Sequence, residues 1–348
     1  METTCAIVLF SGGLDSILAA RLLSDLGHKV LCLHMTSPFF GDSRKIASWE
    51  HHYGFTIIRK DVSEAFVELL HKPAHGFGKT LNPCVDCKIL LLKEAKKIML
   101  EQGAHFLATG EVIGQRPMSQ RRDVLNTIIR EADVKDCLLR PLSALHLEPT
   151  PMEIAGIVDR KKLLGIQGRS RQEQLALARD RFHLTHIPSP AGGCKLTERE
   201  NARRYWMVLK HLKKPRGRDF DLANTGRQGW LRSGEATYWL SVGRNSCDND
   251  QLRTLLSEED ALISFPSIPA PVALARFGSH WPDEILQLAG QSALSYAIKA
   301  LSISSQATMK VSCCKSTRTF VVEAKRQSGF NLPEWEAIAA NIKEQRCI

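Results

Sequence analysis

From Ala6 to about Leu142, short apolar runs alternate with longer stretches in which apolar positions recur at helical spacing. That alternation predicts βα units around a parallel sheet. Strands are expected at Ala6–Phe10, Lys29–Met35, Phe55–Arg59, His105–Thr109 and Cys137–Leu142, with helices including Ser16–Leu26 and Cys87–Gln102. Another helical stretch runs from Arg171 to about Arg181, and Pro188–Gly193 reads as a rigid turn. Near residue 200 the pattern changes. Aromatic-containing runs at Trp230–Leu231 and Thr237–Val242, turn signals at Gly243 and Asn245, and strand-like runs at Lys310–Cys313 and Thr319–Glu323 follow. The expected architecture is α/β: a doubly wound parallel sheet in residues 1–200 and a smaller α+β domain in residues 201–348.

Composition narrows the class. With 348 residues, 43% hydrophobic and 24% charged, the chain can bury a sizeable core and is neither disordered nor a coiled coil. No apolar run reaches the ~18 residues of a membrane helix, and METTCAIVLF lacks the pattern of a secretory signal, so a cytoplasmic protein is expected. Forty-seven Lys and Arg against 37 Asp and Glu give a net charge of +10, which suits a polyanionic partner. In that setting the ten cysteines read as thiols, metal ligands or redox groups.

Ser11, Gly12, Gly13, Leu14, Asp15 and Ser16 follow the first strand and open a helix. Backbone N–H groups and the positive helix end then face one point, which suits a pyrophosphate. Glycines allow close approach of phosphate oxygens, and Asp15 fits as a ligand of a bridging Mg²⁺. The plain alternative is a βα turn with Asp15 and Ser16 capping the helix. Pro73–Thr80 has Pro where a Walker A loop needs its first glycine, and is set aside.

Cys84 and Cys87 form a CxxC at a helix start beside Lys88. No second CxxC exists, which disfavours structural zinc. Cys194, after Gly192 and Gly193, is expected to be accessible. Three thiolates could hold a [4Fe–4S] cluster with one open iron, or act as a persulfide carrier with a resolving thiol, and both readings stand. Cys5, Cys32 and Cys137 fall in expected strands and read as core residues.

The segment from Thr109 to Gln120, TGEVIGQRPMSQ, follows another strand at the edge where nucleotides sit in open α/β sheets. The SGGLDS loop resembles the PP-loop of ATP pyrophosphatases. Together with the Thr109–Gln120 segment and Arg140-Pro141-Leu142, residues 4 to about 200 resemble the PP-loop domain of the tRNA 4-thiouridine sulfurtransferases. The resemblance implies the adenine nucleotide α-hydrolase-like fold, with Ser11, Gly12, Gly13, Asp15 and Ser16 at the ATP phosphates. It also implies that Lys88, Gly110 and Gln120 line the nucleotide pocket and that His34 and Met35 lie beside adenine through their backbone. Cys194 resembles the sulfur-handling cysteine of that domain. The CxxC resembles that of cluster-dependent tRNA thiolases, in which three cysteines, here Cys84, Cys87 and Cys194, bind [4Fe–4S]. The chain departs from that family in showing neither the THUMP domain that usually precedes the PP-loop nor a rhodanese domain.

Arg203, Arg204, Lys210, Lys213, Lys214, Arg216 and Arg218, interleaved with Tyr205, Trp206 and His211, form a candidate RNA-binding patch with aromatic faces for base stacking. Gly168-Arg169-Ser170-Arg171 is a second basic loop. Trp239–Asn245, with Asn249 and Leu252, resembles an NFACT-R-type RNA-binding module. The function these resemblances imply is an ATP-dependent tRNA sulfurtransferase that adenylates a uridine carbonyl oxygen and replaces it with sulfur, drawn from sulfide or from a cysteine-desulfurase persulfide. The alternatives are a PP-loop ligase or amidase acting on a small molecule, and a non-catalytic RNA-binding factor.

Overall fold

The computed structural model describes residues 4–189, 193–297, 306–314, 316–325 and 329–345, so part of the expected turn, Pro190 to Gly192, and Cys347 lie outside the described residues. The chain forms two compact units, residues 1–197 and 198–348.

The first unit is built on five parallel strands, β1 (Cys5–Leu9), β2 (Lys29–Thr36), β3 (Thr56–Asp61), β4 (Phe106–Thr109) and β5 (Leu138–Leu139), in the order β3-β2-β1-β4-β5. The last strand is shorter than its apolar run, because Arg140 leaves the ladder to make an ion pair. Side chains alternate across β1: Ala6 and Val8 join one core while Cys5 and Ile7 join the other. The first core takes Leu14, Ile17, Leu18 and Leu22 of α1 (Leu14–Asp25). Helices α2 (Ile46–Tyr53) and α3 (Ser63–His71) follow. The second core takes Ile89, Leu92, Ala95 and Met99 of α4 (Cys84–Glu101) and Ile128 of α5 (Arg122–Ala132). Burial of both faces explains why the strands read as continuous apolar runs. Cys5, Cys32 and Cys137 are core residues, and burial pushes all three thiols up.

The strand order reverses between β1 and β4, so a crevice opens beyond their carboxyl ends. The glycine loop leaves β1 there and the Gly110 loop leaves β4. After α6 (Pro151–Ile154), the chain returns along the Arg140–Ser143 segment: Leu164 N–H donates to Pro141 O and Ile166 N–H to Leu142 O. Gly168 N–H then reaches Ile113 O at 2.7 Å. These bonds deliver α7 (Gln172–Ala176) against α1, and a π-turn at Leu177–Arg181 replaces the end of the expected helix.

The second unit is a six-stranded antiparallel sheet in the order β11-β10-β8-β9-β7-β6. Its strands are β6 (Arg227–Ser233), β7 (Ala236–Val242), β8 (Ala261–Ser264), β9 (Ala273–Arg276), β10 (Gln306–Cys313) and β11 (Ser316–Glu323). Helices α8 (Arg199–His211), α9 (Gly217–Asn224), α10 (Ser246–Leu255) and α11 (Asp283–Leu294) accompany it. Ile285, Leu286, Ala289 and Ala293 of α11 form its core with Leu240, Ile263, Ala275 and Met309. No helix among the described residues is long and apolar enough to cross a membrane.

Candidate active site

The glycine loop is shaped by close packing. Gly12 takes φ +74°, and a Cβ there would lie 2.2 Å from the Trp49 ring. Trp49 in turn meets Phe10 and His34 edge-on at 5.5 and 4.9 Å. A Cβ on Gly110 would lie 2.3 Å from the Asp15 carbonyl, so the two loops touch backbone to backbone only because Gly110 has no side chain there. Gly13 is the N-cap residue of α1 and its side-chain-free end leaves the first turn uncapped by a side chain, in place of a cap from Asp15 or Ser16. Ser16 Oγ instead donates to Gly13 O at 2.8 Å and accepts from Ser11 N–H at 3.3 Å, which fixes the loop from within.

Asp15 stands at the first turn of α1. Burial raises its carboxyl above the usual range, opposed by the Gln115 amide and by the charges of Arg171 and Arg116. Gln115 Nε2 donates to Asp15 Oδ2 at 3.1 Å, whereas Asp15 Oδ1 is buried with no hydrogen-bond partner. A buried carboxylate oxygen without a donor fits a cation bridging phosphates, so Mg²⁺ suits this donor.

Beyond β4 lies a charge cluster within motifs already singled out, although its acid was not. Glu111, buried, ion-pairs with Arg140 at 2.9 Å and with Lys88 at 3.5 Å, and accepts from Thr109 Oγ1 at 3.2 Å. Burial alone would raise Glu111, yet Lys88, Arg140 and Thr109 overcome it and hold the carboxyl at about 2. Lys88 is thus anchored to the Gly110 loop. Gln120 is buried, and its backbone closes that loop by accepting from Gly114 N–H at 2.8 Å. The signal for Glu111 was its place in the TGE segment with Arg140 twenty-nine residues on.

The imidazole of His34 is buried and bonded on both nitrogens: Nδ1 meets Phe10 O at 2.9 Å, and Asp42 N–H reaches Nε2 at 3.1 Å. The carbonyl requires a donor at Nδ1, so the ring is neutral, in keeping with burial that lowers its basicity. Met35 beside it is also buried. His34 therefore braces the end of β2 with its side chain.

Cys84 and Cys87 both sit within the first turn of α4, and their charges act on each other and on Cys194. Burial, with Cys194 and Cys84 nearby, pushes the Cys87 thiol far up; burial lifts Cys194 to about 11. Cys194 is half-covered rather than open, since its backbone bridges to Phe40 and Lys195 N–H bonds Phe39 O. Asn82 Nδ2 donates to Cys84 Sγ at 3.1 Å. The positive charge of Arg116 lowers both the Asp15 carboxyl and the Cys194 thiol against the larger effect of burial. Among the described residues no group of three His, Cys, Asp or Glu is arranged to hold a metal ion.

The basic patch differs from expectation. Tyr205 and Trp206 are buried on α8 and offer no face for stacking, and His211 packs on Trp230 with ring centroids 5.3 Å apart. Arg203 donates to Leu332 O and Pro333 O, Arg204 is tied to Ala223 O and Glu200, and Arg218 pairs with Asp260 at 2.9 Å. Helical periodicity turns those aromatics inward and draws the arginine stems along the core. Lys210, Lys213, Lys214 and Arg216 are exposed. Trp239 is buried, stacked on Trp230 at 4.8 Å.

An open α/β sheet with a glycine loop at its switch point, followed by thiols at a helix start, is the arrangement expected of a PP-loop unit. Residues 2–149 match the family model described as "Thiamine biosynthesis protein (ThiI)". The likeness of residues 239–252 to an NFACT-R module lies outside that match. The chain is 31% identical over 163 residues to the "Probable tRNA sulfurtransferase" of Thermococcus kodakarensis, covering 46% of this chain and 40% of that protein. It is 28% identical over 116 residues to the "tRNA-specific 2-thiouridylase MnmA" of Campylobacter curvus, covering 31% and 34%. It thus spans well under half the length of these relatives. A solved structure from Methanocaldococcus jannaschii, the "predicted subunit of tRNA methyltransferase", aligns with TM-score 0.30 at 19% identity over 40% of this chain and 69% of that one.

Proposed function

We propose that the protein is an ATP-dependent tRNA sulfurtransferase acting in the cytoplasm. The observation that carries the reading is the glycine loop at the switch point of the sheet, packed backbone to backbone on the Gly110 loop and carrying a buried Asp15 carboxylate oxygen with no hydrogen-bond partner. The loop Ser11–Ser16 takes the ATP phosphates, and Asp15 holds Mg²⁺, which neutralises phosphate charge when bound. A uracil carbonyl oxygen attacks the α-phosphorus; the bond to the β-phosphate oxygen breaks and pyrophosphate leaves. Sulfide-level sulfur then attacks the activated carbon, and AMP departs with the former carbonyl oxygen; the sulfur comes either as bound hydrosulfide or as the outer sulfur of a persulfide on Cys194, whose S–S bond is broken as a Cys84 or Cys87 thiolate forms a disulfide with Cys194. The chain contributes position and charge. Lys210, Lys213, Lys214 and Arg216 supply phosphate contacts for tRNA. The relatives favour this reading over a small-molecule ligase or a non-catalytic RNA factor.

Asp15→Ala is expected to abolish ATP–pyrophosphate exchange while salt-dependent retention of bulk tRNA persists; undiminished exchange would remove Asp15 from the site. Iron and sulfide counts after anaerobic purification separate a [4Fe–4S] cluster from persulfide chemistry, and mass spectrometry of tRNA nucleosides from a deletion strain identifies the product.

A further inference from the structure

Gln174 of α7 is completely buried, and neither its amide oxygen nor its amide nitrogen has a hydrogen-bond partner. It lies beside Asp15, where its amide helps hold the carboxylate ionised. Two further buried oxygens in the same place are equally unmatched, Asp15 Oδ1 and Gln115 Oε1. Leaving one buried polar group unbonded costs about 1 to 3 kcal/mol; the Gln174 amide N–H group acts on Asp15, but the amide oxygens of Gln174 and Gln115 beside that carboxylate remain unmatched and call for a partner that is not part of the chain. Packing alone would be better served by an apolar residue, since Leu175 and Leu177 on either side of Ala176 do join the core.

The chemistry of these atoms names the partner. One carboxylate and two unmatched amide carbonyls are the donor set of a hard divalent cation with its water shell. Arg171 and Arg116 flank the same carboxylate and suit the phosphate oxygens such a cation bridges. The carrier of Gln174 is held firmly: the bonds from Leu164, Ile166 and Gly168 to Pro141, Leu142 and Ile113 anchor the chain before α7, and the π-turn Leu177–Arg181 follows it.

We infer that Gln174 and Gln115 complete, with Asp15, the binding site of the divalent cation that accompanies the nucleotide, with Arg171 on its phosphates. This rests on the PP-loop reading and adds to it a segment beyond residue 149, where the family match ends. The test is binding of Mn²⁺ to the full chain, followed by electron paramagnetic resonance with and without ATP. Gln174→Leu is expected to weaken Mn²⁺ in the presence of ATP by about tenfold or more, the usual effect of losing a group that supports a metal. Gln174→Glu, which restores oxygen donors, recovers it, and Gln115→Leu provides an independent variant should Gln174→Leu fail to fold. Wild-type affinity in folded Gln174→Leu, or a loss that Gln174→Glu does not repair, overturns the inference. If the wild type binds no Mn²⁺ with ATP, or Asp15→Ala binds as the wild type does, the PP-loop reading itself fails.

Discussion

Two buried glutamines, one in each unit, show how differently the chain treats polar groups in two places. In the second unit, Gln228 Nε2 donates to Leu222 O, Thr225 O and Ser241 Oγ, while its Oε1 accepts from Trp239 Nε1 at 2.8 Å. In the first unit, Gln174 uses neither atom. Carboxylates follow the same contrast. Asp260 accepts from Arg276, Phe277 N–H, Arg218 and Ser257, and Asp219 accepts from Arg276 and Arg216 N–H, so every oxygen is matched. Asp15 Oδ1 is buried with no close hydrogen-bond partner. A saturated network fixes a fold, whereas an unsaturated one at a sheet's switch point marks where a ligand completes it.

The sharpest test of this contrast is to remove one partner of a buried ion pair. Glu111→Gln, which strands buried Arg140, and Arg276→Ala, which strands Asp219 and Asp260, should each cost about 3 to 5 kcal/mol in chemical denaturation. A smaller effect is expected in acid. Glu111 is held at about 2 against an ordinary 4.5, so its contribution is complete above 4.5 and disappears as pH falls from there toward 2. That difference is on the order of 3 kcal/mol, and Glu111→Gln should flatten the acid limb of stability measured for the first unit. The smallest effect is the most telling. Gln228→Leu should destabilise by about 2 kcal/mol, because it strands the buried Trp239 indole N–H and takes one hydrogen bond from each of three acceptors, while Gln174→Leu should leave the ligand-free protein unchanged or up to about 1 kcal/mol more stable. Equal losses at both positions would erase the distinction.

The parallel sheet was legible because its strands are apolar on both faces, and β1 to β4 fall within a residue or so of their expected bounds. The glycine loop and the CxxC were legible because each is contiguous. Glu111 and Arg140 were visible as motif members, but their pairing is not, since it depends on β4 and β5 lying side by side. Gln174 carries no motif and sits in what reads as an ordinary helix. The arginines of α8 misled for a related reason: charge in a sequence does not say which side chain is already engaged with its own backbone. Arg203 and Arg204 are engaged in that way, and the aromatic rings between them point inward.

Trp49 is the sole tryptophan of residues 1–197, and its indole rests on the Cα of Gly12. Whatever enters the loop must press on or shield that ring, so the molecule has a fluorophore seated at its own doorway. The difference between the emission of the wild type and that of Trp49→Phe gives an optical record of occupancy without any label.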